Sequence, residues 1–296
     1  MELRTLQYFL TIAREESISR AAEYLHMTQP TLSRQMKDLE EQLGKTLFVR
    51  GKRRITLTDD GILLKNRAEE IVGLVERTEA EVMANEEVLT GDIYIGAGES
   101  EGLRIIARVI NKIQKRHSQV KFHLFSGKAE DVTEKIDLGL LDFGIIIEPV
   151  DLNKYDYLKL NFQDTWGVLM RKDNHLASLE KITPEDLRGK PLLCSNQAMV
   201  KNEIAGWIGG NQRKFNIVGT YNLLFNASLI VEESDCYALC LDKIINTSGN
   251  SQLCFRPLVP ELKANVIIIW KKYKVFSKTS EVFLKKVQEE ISKQQL

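Results

Sequence analysis

Several features are scarce in this 296-residue chain, and each scarcity removes a class of function. Net charge is absent: 41 lysines and arginines balance 41 aspartates and glutamates, so the total argues for no partner of either sign. Its four histidines, His26, His117, His123 and His175, stand apart from one another, from clustered carboxylates and from any activated nucleophile. Catalytic residues, a metal and a cofactor are therefore not expected. Cys194, Cys236, Cys240 and Cys254 lie in the C-terminal half without Cys-x-x-Cys spacing, which reads as buried thiols in preference to a redox switch or a metal site. No apolar run approaches the ~20 residues that span a bilayer. The opening Met-Glu-Leu-Arg-Thr also lacks the basic-then-apolar layout of a secretory signal, so a cytoplasmic protein without membrane contact is expected.

What is present is unevenly placed, and the length allows two domains or more. Residues 1–58 hold ten basic and seven acidic side chains (+3), residues 59–90 hold three and nine (−6), and the remainder returns to +3. A modestly basic head fits a nucleic-acid contact confined to one end. Within it, Thr28 and Pro30 predict a helix start, the first as N-cap and the second where a missing N–H costs nothing. Leu32, Met36, Leu39 and Leu43 then fall on one apolar stripe to be buried. The opposite face carries Gln29, Thr31, Ser33, Arg34, Gln35 and Lys37, side chains that hydrogen-bond base edges and phosphates, with Asp38, Glu40 and Glu41 only afterwards. Taken alone, this is equally an ordinary amphipathic surface helix.

Its neighbours favour the nucleic-acid reading. Leu3, Leu6, Phe9, Leu10 and Ala13 mark a first helix over 3–14. Ser17 caps a second, in which Ala21 and Ala22 are small where two helices must approach closely. His26-Met27 is a short link to the helix at residue 28. Two brief helices joined by a tight turn form a helix-turn-helix, whose second helix typically enters the major groove. Gly44 ends that helix. Leu47, Phe48 and Val49, then Ile55 and Leu57, read as two strands joined by Arg50-Gly51-Lys52-Arg53-Arg54. This is a wing with a basic tip, suited to phosphates or a minor groove, although a loop basic for solubility alone has the same composition. From Thr58-Asp59-Asp60-Gly61 a long helix begins, and Leu64, Ala68, Ile71, Val75, Thr78, Val82, Asn85 and Leu89 recur along it as a heptad seam. That seam pairs with a second copy, or packs on its own domain.

Beyond Gly91 strands and helices alternate. The pattern predicts a strand from Asp92, a helix over 103–113, strand 120–125, helix 130–140 and the apolar strand Phe143-Gly-Ile-Ile-Ile, the order of a parallel sheet. Further strands are predicted at 166–170, 191–194, 217–221, 237–241 and 266–270, with a last helix over 278–293.

The first sixty residues resemble the DNA-binding head of the LysR-type transcriptional regulators. The likeness rests on Leu6–Phe9, on Ser17–Leu25 with Ala21-Ala22, on Thr28-Gln-Pro-Thr-Leu-Ser-Arg-Gln, on Leu39-Glu-Glu-Gln-Leu-Gly, on Leu47-Phe-Val-Arg and on Leu57-Thr-Asp-Asp-Gly. It implies an α/β protein with a winged helix-turn-helix over 1–58, a linker and dimerisation helix over 59–90, and a two-lobed periplasmic-binding-protein-like effector domain over 91–296. Lobe I would take about 91–161 and 266–296, and lobe II about 162–265. The family's glycine-rich strand-to-helix turn late in the second lobe stands here as Glu233-Ser-Asp-Cys-Tyr-Ala-Leu, without its glycines.

Carried onto matching positions, the resemblance implies a sequence-specific, effector-controlled transcriptional regulator and no enzyme. Gln29, Ser33 and Arg34 would meet bases or adjacent phosphates, supported by Thr28, Pro30, Thr31 and Lys37. Arg50, Lys52, Arg53 and Arg54 would enter or straddle the minor groove. A small molecule would bind between the lobes at Glu99, Ser100, Ser126, Gly127, Lys128, Ser195, Asn196 and Asn222. Helix N-termini make a carboxylate the default ligand, but Glu99 opposes an anion unless Lys128 offsets it, so a polar or amino-bearing effector stays open. The implied partners are double-stranded operator DNA, the effector, further copies of the chain as dimer and tetramer, and RNA polymerase. Two rivals stand beside this reading: an α/β binding or enzymatic domain that its N-terminal helices merely dimerise, and a constitutive regulator whose cleft is filled by side chains.

Overall fold

The computed structural model describes residues 1–51, 54–83, 89–196, 203–207 and 215–293. The chain forms two compact units, Met1–Ala84 and Asn85–Leu296.

In the first unit, α1 (Leu3–Glu15) buries Leu6, Phe9 and Ile12, and ends where Glu16 turns left-handed at φ 50°. The Ser17 Oγ accepts the Arg20 N–H at the start of α2 (Ile18–Tyr24). Ala21 and Ala22 are buried against the neighbouring helices, where a larger side chain would hold them apart. After a turn with His26 at φ 54°, α3 (Gln29–Leu43) runs to Gly44 at φ 64°, a left-handed cap that glycine adopts without strain. Thr28 stands at the N-cap position, but its hydroxyl bonds the Thr31 hydroxyl at 2.7 Å instead of a backbone N–H. Leu32, Met36 and Leu39 are buried as the stripe requires, whereas Leu43 is 39 % exposed. The chain reverses just after Leu43, and the buried Leu47 supplies the apolar contact on the far side of the reversal.

The wing is a two-stranded antiparallel ribbon of β1 (Phe48–Arg50) and β2 (Ile55–Leu57), with Phe48 opposite Leu57 and Arg50 opposite Ile55. Glu40 anchors it to α3, its Oε1 accepting the N–H groups of Leu47 and Phe48 at 2.6 and 3.2 Å. The Ile55 N–H donates to the Glu16 carbonyl at 2.9 Å and so ties the ribbon to α1. Helix α4 (Asp59–Met83) follows at once. A Cβ at Gly61 would lie 2.2 Å from the Leu47 carbonyl oxygen, so this close start requires glycine.

The heptad seam on α4 divides. Ala68 and Val72 are buried in the core that α1 shares, and Leu64 packs against it, so one stretch of the stripe serves its own unit. Ile71 (41 %) and Val82 (81 %) are exposed, as are Leu63, Leu74 and Met83. Leu89 is not helical; it packs against a core of the second unit. Asn85 lies outside the described residues.

In the second unit, β3 (Gly91–Ala97), α5 (Leu103–Gln114), β4 (Val120–Ser126), α6 (Ala129–Asp137) and β5 (Phe143–Ile147) realise the expected alternation. Helix α6 stops before Leu140 because Gly139 takes φ 75°. The sheet is mixed where the sequence pattern predicted a parallel one. Strands β4, β3 and β5 are parallel, but β6 (Tyr155–Arg171) and β11 (Lys263–Lys271) run antiparallel to each other and cross from one lobe to the other. The far half holds β7 (Pro191–Ser195), the short α7 (Glu203–Trp207), β8 (Asn216–Tyr221), α8 (Leu224–Glu232), β9 (Tyr237–Leu241) and β10 (Leu253–Pro257). Strand β7 pairs in parallel with β8 and β9, while β9 and β10 pair antiparallel with β6. Helix α9 (Lys278–Ser292) returns to pack on the first lobe through Phe283 and Val287. Glu233–Cys236 connects α8 to β9, a helix-to-strand link where the resemblance implied strand-to-helix.

Candidate functional site

The first unit presents the polar face of α3. Thr28, Gln29, Pro30, Thr31, Arg34 and Lys37 are exposed, Ser33 and Gln35 half-buried. Arg34 has no ion pair among the described residues, so its guanidinium, a rigid fork of donors, is left for an external acceptor. Lys37 pairs with Glu41 one turn on at 3.3 Å, and Arg54 with Glu16 at 3.7 Å. Both pairs are well exposed, and such pairs are worth ~0–1 kcal/mol, little enough for a phosphate to displace. Lys52, Arg53 and the side chain of Arg50 lie outside the described residues.

The second candidate site is a cavity of about 60 Å³ at the carboxyl ends of the strands, the edge at which ligands bind in open α/β sheets. Most of the lining comes from strand ends and the turns that follow them. The turn after β3 supplies Gly98 and Glu99, the turn after β4 supplies Gly127 and Lys128, and the end of β5 supplies Ile147 and Glu148. From the other lobe come Trp166 on β6, Ser195 at the end of β7, Tyr221 to Leu224 between β8 and α8, and Cys240 and Leu241 on β9. Glu99, Gly127, Lys128, Ser195 and Asn222 thus meet in one place. Ser100, Ser126 and Asn196 do not line it. The Ser100 hydroxyl donates to Asp164 Oδ2 at 2.5 Å and accepts the Gly102 N–H at 2.9 Å, so it is consumed in starting α5. Ser126 and Asn196 are exposed beside the cavity.

Sequence reasoning missed Glu148, Trp166, Tyr221 and Leu224. Trp166 and Tyr221 fall within predicted strands; the signal for Tyr221 is its place at the end of β8, whereas Trp166 lies inside the long β6 and carries no such mark. Trp166 is buried, and its indole N–H has no hydrogen-bond partner among the described residues. The Tyr221 hydroxyl donates to the Leu239 carbonyl at 2.6 Å. Glu99 Oε2 accepts the backbone N–H of Leu224 from the opposite lobe. Beneath the site Asp164 is pushed up to about 6, mainly by burial, against which hydrogen bonds from the Ser100 hydroxyl and the Glu101 backbone act.

Burial raises the thiols too, Cys194 to about 11 and Cys240 further. Protonated thiols are poor nucleophiles and poor metal ligands. Cys236 is half-buried where a buried thiol was expected, because it sits in the link before β9. Among the described residues no group of three His, Cys, Asp or Glu side chains could hold a metal ion, and no helix is long and apolar enough to cross a membrane.

Residues 3–62 match the family model described as bacterial regulatory helix-turn-helix protein, lysR family, and residues 86–292 match the LysR substrate binding domain. The chain is 29 % identical over 282 residues to the Hca operon transcriptional activator HcaR of Escherichia coli (strain K12), covering 92 % of each chain. It is 34 % identical over 146 residues to the HTH-type transcriptional regulator BsdA of Bacillus subtilis (strain 168), which is 49 % of this chain and 50 % of that protein. Its fold is similar to that of full-length CbnR in complex with target DNA, with a TM-score of 0.75 and 18 % identity over 98 % of this chain and 100 % of the other.

Proposed function

The chain belongs to the LysR family of bacterial helix-turn-helix regulators, and from that premise we propose which of its residues read DNA and which sense the effector. It is a DNA-binding transcriptional regulator, not an enzyme, and a small molecule acting on its C-terminal domain controls it. The observation that carries the DNA assignment is the exposed Arg34, without an ion pair among the described residues, beside Gln29, Thr31 and Ser33 at the N-terminal end of α3. An α-helix entering the major groove by that end brings an arginine and an amide to base edges, where each good bidentate pair discriminates by ~1–3 kcal/mol. Thr28 and Lys37 position the helix on phosphates, Pro30 supports its first turn, and Arg50, Lys52, Arg53 and Arg54 of the wing meet the backbone or minor groove.

Functionally the chain divides into 1–58 for DNA, 59–90 as linker and 91–296 for the effector, with lobes near 91–161 plus 266–296 and 162–265. The exposed apolar residues of α4, Leu63, Ile71, Leu74, Val82 and Met83, support pairing with a second copy. Two recognition helices then read half-sites about one turn of DNA, or a multiple, apart. Phe225, Leu229 and Ile230 on α8 give a second exposed apolar face for a tetramer. Effector contact falls to Glu99, Gly127, Lys128, Ser195 and Asn222, in a cytoplasmic protein that acts at promoters alongside RNA polymerase.

The test is binding of the full chain to its operator and to a scrambled duplex across a salt series. Binding with a steep salt slope that Arg34→Ala weakens more on the operator supports base reading. Equal losses on both duplexes make Arg34 a phosphate contact, and no binding at low salt removes the DNA assignment.

A further inference from the structure

The turn after β3 brings Glu99 to one wall of the cavity, and its carboxylate reaches the other lobe, where it accepts the N–H of Leu224, first residue of α8. The first N–H groups of a helix lack partners within the helix and lie at the positive end of its dipole, which makes that position a seat for an anion. Here the chain fills the seat itself. Asn222 Oδ1 accepts the neighbouring Leu223 N–H at 2.9 Å, so the first two amides at this helix start, those of Leu223 and Leu224, are already served by the chain's own side chains. Among the described residues the charged side chains on the walls are Glu99 and Glu148 against Lys128, an excess of one negative charge. An added carboxylate would meet both acids and find the first amides of its natural seat taken.

The rest of the lining asks for something different. Trp166 is 5 % exposed, lines the same cavity, and carries an indole N–H with no partner among the described residues. That group is a donor only, and a buried unpaired donor is costly to keep. What it lacks is a hydrogen-bond acceptor. Ile147, Leu241 and Cys240 around it are apolar or carry a protonated thiol.

We propose that Glu99 sets the charge class of the effector: its carboxylate occupies the anion seat of α8 and straps the lobes together, so the site rejects carboxylates and takes a small uncharged molecule whose acceptor meets the Trp166 indole N–H. This rests on the cleft being the effector site. The ligand enters beneath the strap, and its acceptor satisfies a buried donor that stands open in that wall among the described residues. Without the Glu99 carboxylate, the start of α8 becomes an ordinary anion seat with Lys128 on the same cavity.

The test uses acetamide and acetate, probes of nearly equal size that differ in charge, titrated at constant ionic strength into the ¹⁵N-labelled full chain. The readout is the Trp166 indole N–H signal, assigned with Trp166→Phe, together with the Leu224 amide. In the wild type, acetamide is expected to move the Trp166 signal saturably and acetate is not. In Glu99→Ala, acetate is expected to bind at least tenfold more tightly than to the wild type and to move the Leu224 amide. Acetate binding the wild type as tightly as acetamide overturns the proposal even if the variant fails to fold. So does a variant that gains nothing for acetate, or a Trp166 signal that acetamide leaves in place. Acetamide moving Trp166 while the operator footprint stays unchanged leaves the ligand class standing and counts instead against the cleft as the controlling site.

Discussion

At the scale of single residues, the strongest pH consequence sits at Asp164, which the fold buries beside Ser100 and raises from 3.8 to about 6. The folded chain then holds this proton more firmly than the unfolded chain. The contribution to stability is fully present below the unfolded value and falls as pH rises through about 6. At ~1.4 kcal/mol per pK unit the loss by neutral pH is about 2–3 kcal/mol. Asp164→Asn still accepts the Ser100 hydroxyl and carries no charge. Its melting temperature should gain on the wild type progressively between pH 4.5 and 7.5, and parallel curves for the two proteins would rule the burial effect out. A second residue, Asp142, is buried and bonded to both the Tyr94 N–H and Lys274 Nζ, at 2.9 and 2.7 Å. Lys274→Met removes that cation from the buried carboxylate, and a loss of ~3–5 kcal/mol in denaturant unfolding is expected; a change under 1 kcal/mol would show that the pair is solvated. The polar face of α3 was legible in the sequence because residue type and helical period fix which side chains share a face. The fate of Ser100 was not. A serine after a glycine-rich turn looks the same whether it meets a ligand or starts a helix, and Asp164, its partner here, lies 64 positions away.

At the scale of elements, α4 is the case where sequence period and structure part. A heptad pattern reports that a stripe is apolar and says nothing of which surface covers it. Here Ala68 and Val72 went to α1 while Leu63, Leu74 and Met83 remained outside. Leu74→Glu therefore adds charge to the exposed stretch and leaves the buried one intact. The expected outcome is at least tenfold weaker self-association in sedimentation, with helix content retained; an unchanged mass distribution would move the interface elsewhere. Helix α8 escaped sequence reading for a related reason. Leu224, Ala227 and Val231 are buried, but Phe225, Leu229 and Ile230 are apolar and exposed, so apolar residues surround the helix and no period stands out. Strand β6 was legible only in its second half. Tyr155–Leu160 alternates charged and apolar residues too loosely to mark a strand until the pairing of β11 with Tyr155–Lys159 completes it.

For the whole molecule, the net charge of zero hides a division of labour between a basic head and an acidic linker. Operator affinity should therefore fall steeply with salt, with a slope near 0.9 per phosphate neutralised, and the chain should bind DNA through the first unit although its total charge favours no polyanion. The most direct measurement is a footprint of the full chain on the promoter region beside its own gene, at low ionic strength, with and without a panel of uncharged and anionic metabolites. The expected result is a pair of protected half-sites one helical turn or a multiple apart, whose protection or bending changes with one of the uncharged compounds. A chain that protects no sequence over any other, or whose footprint every compound leaves unchanged, would contradict an effector-controlled reader of DNA built on α3 and the cleft around Glu99.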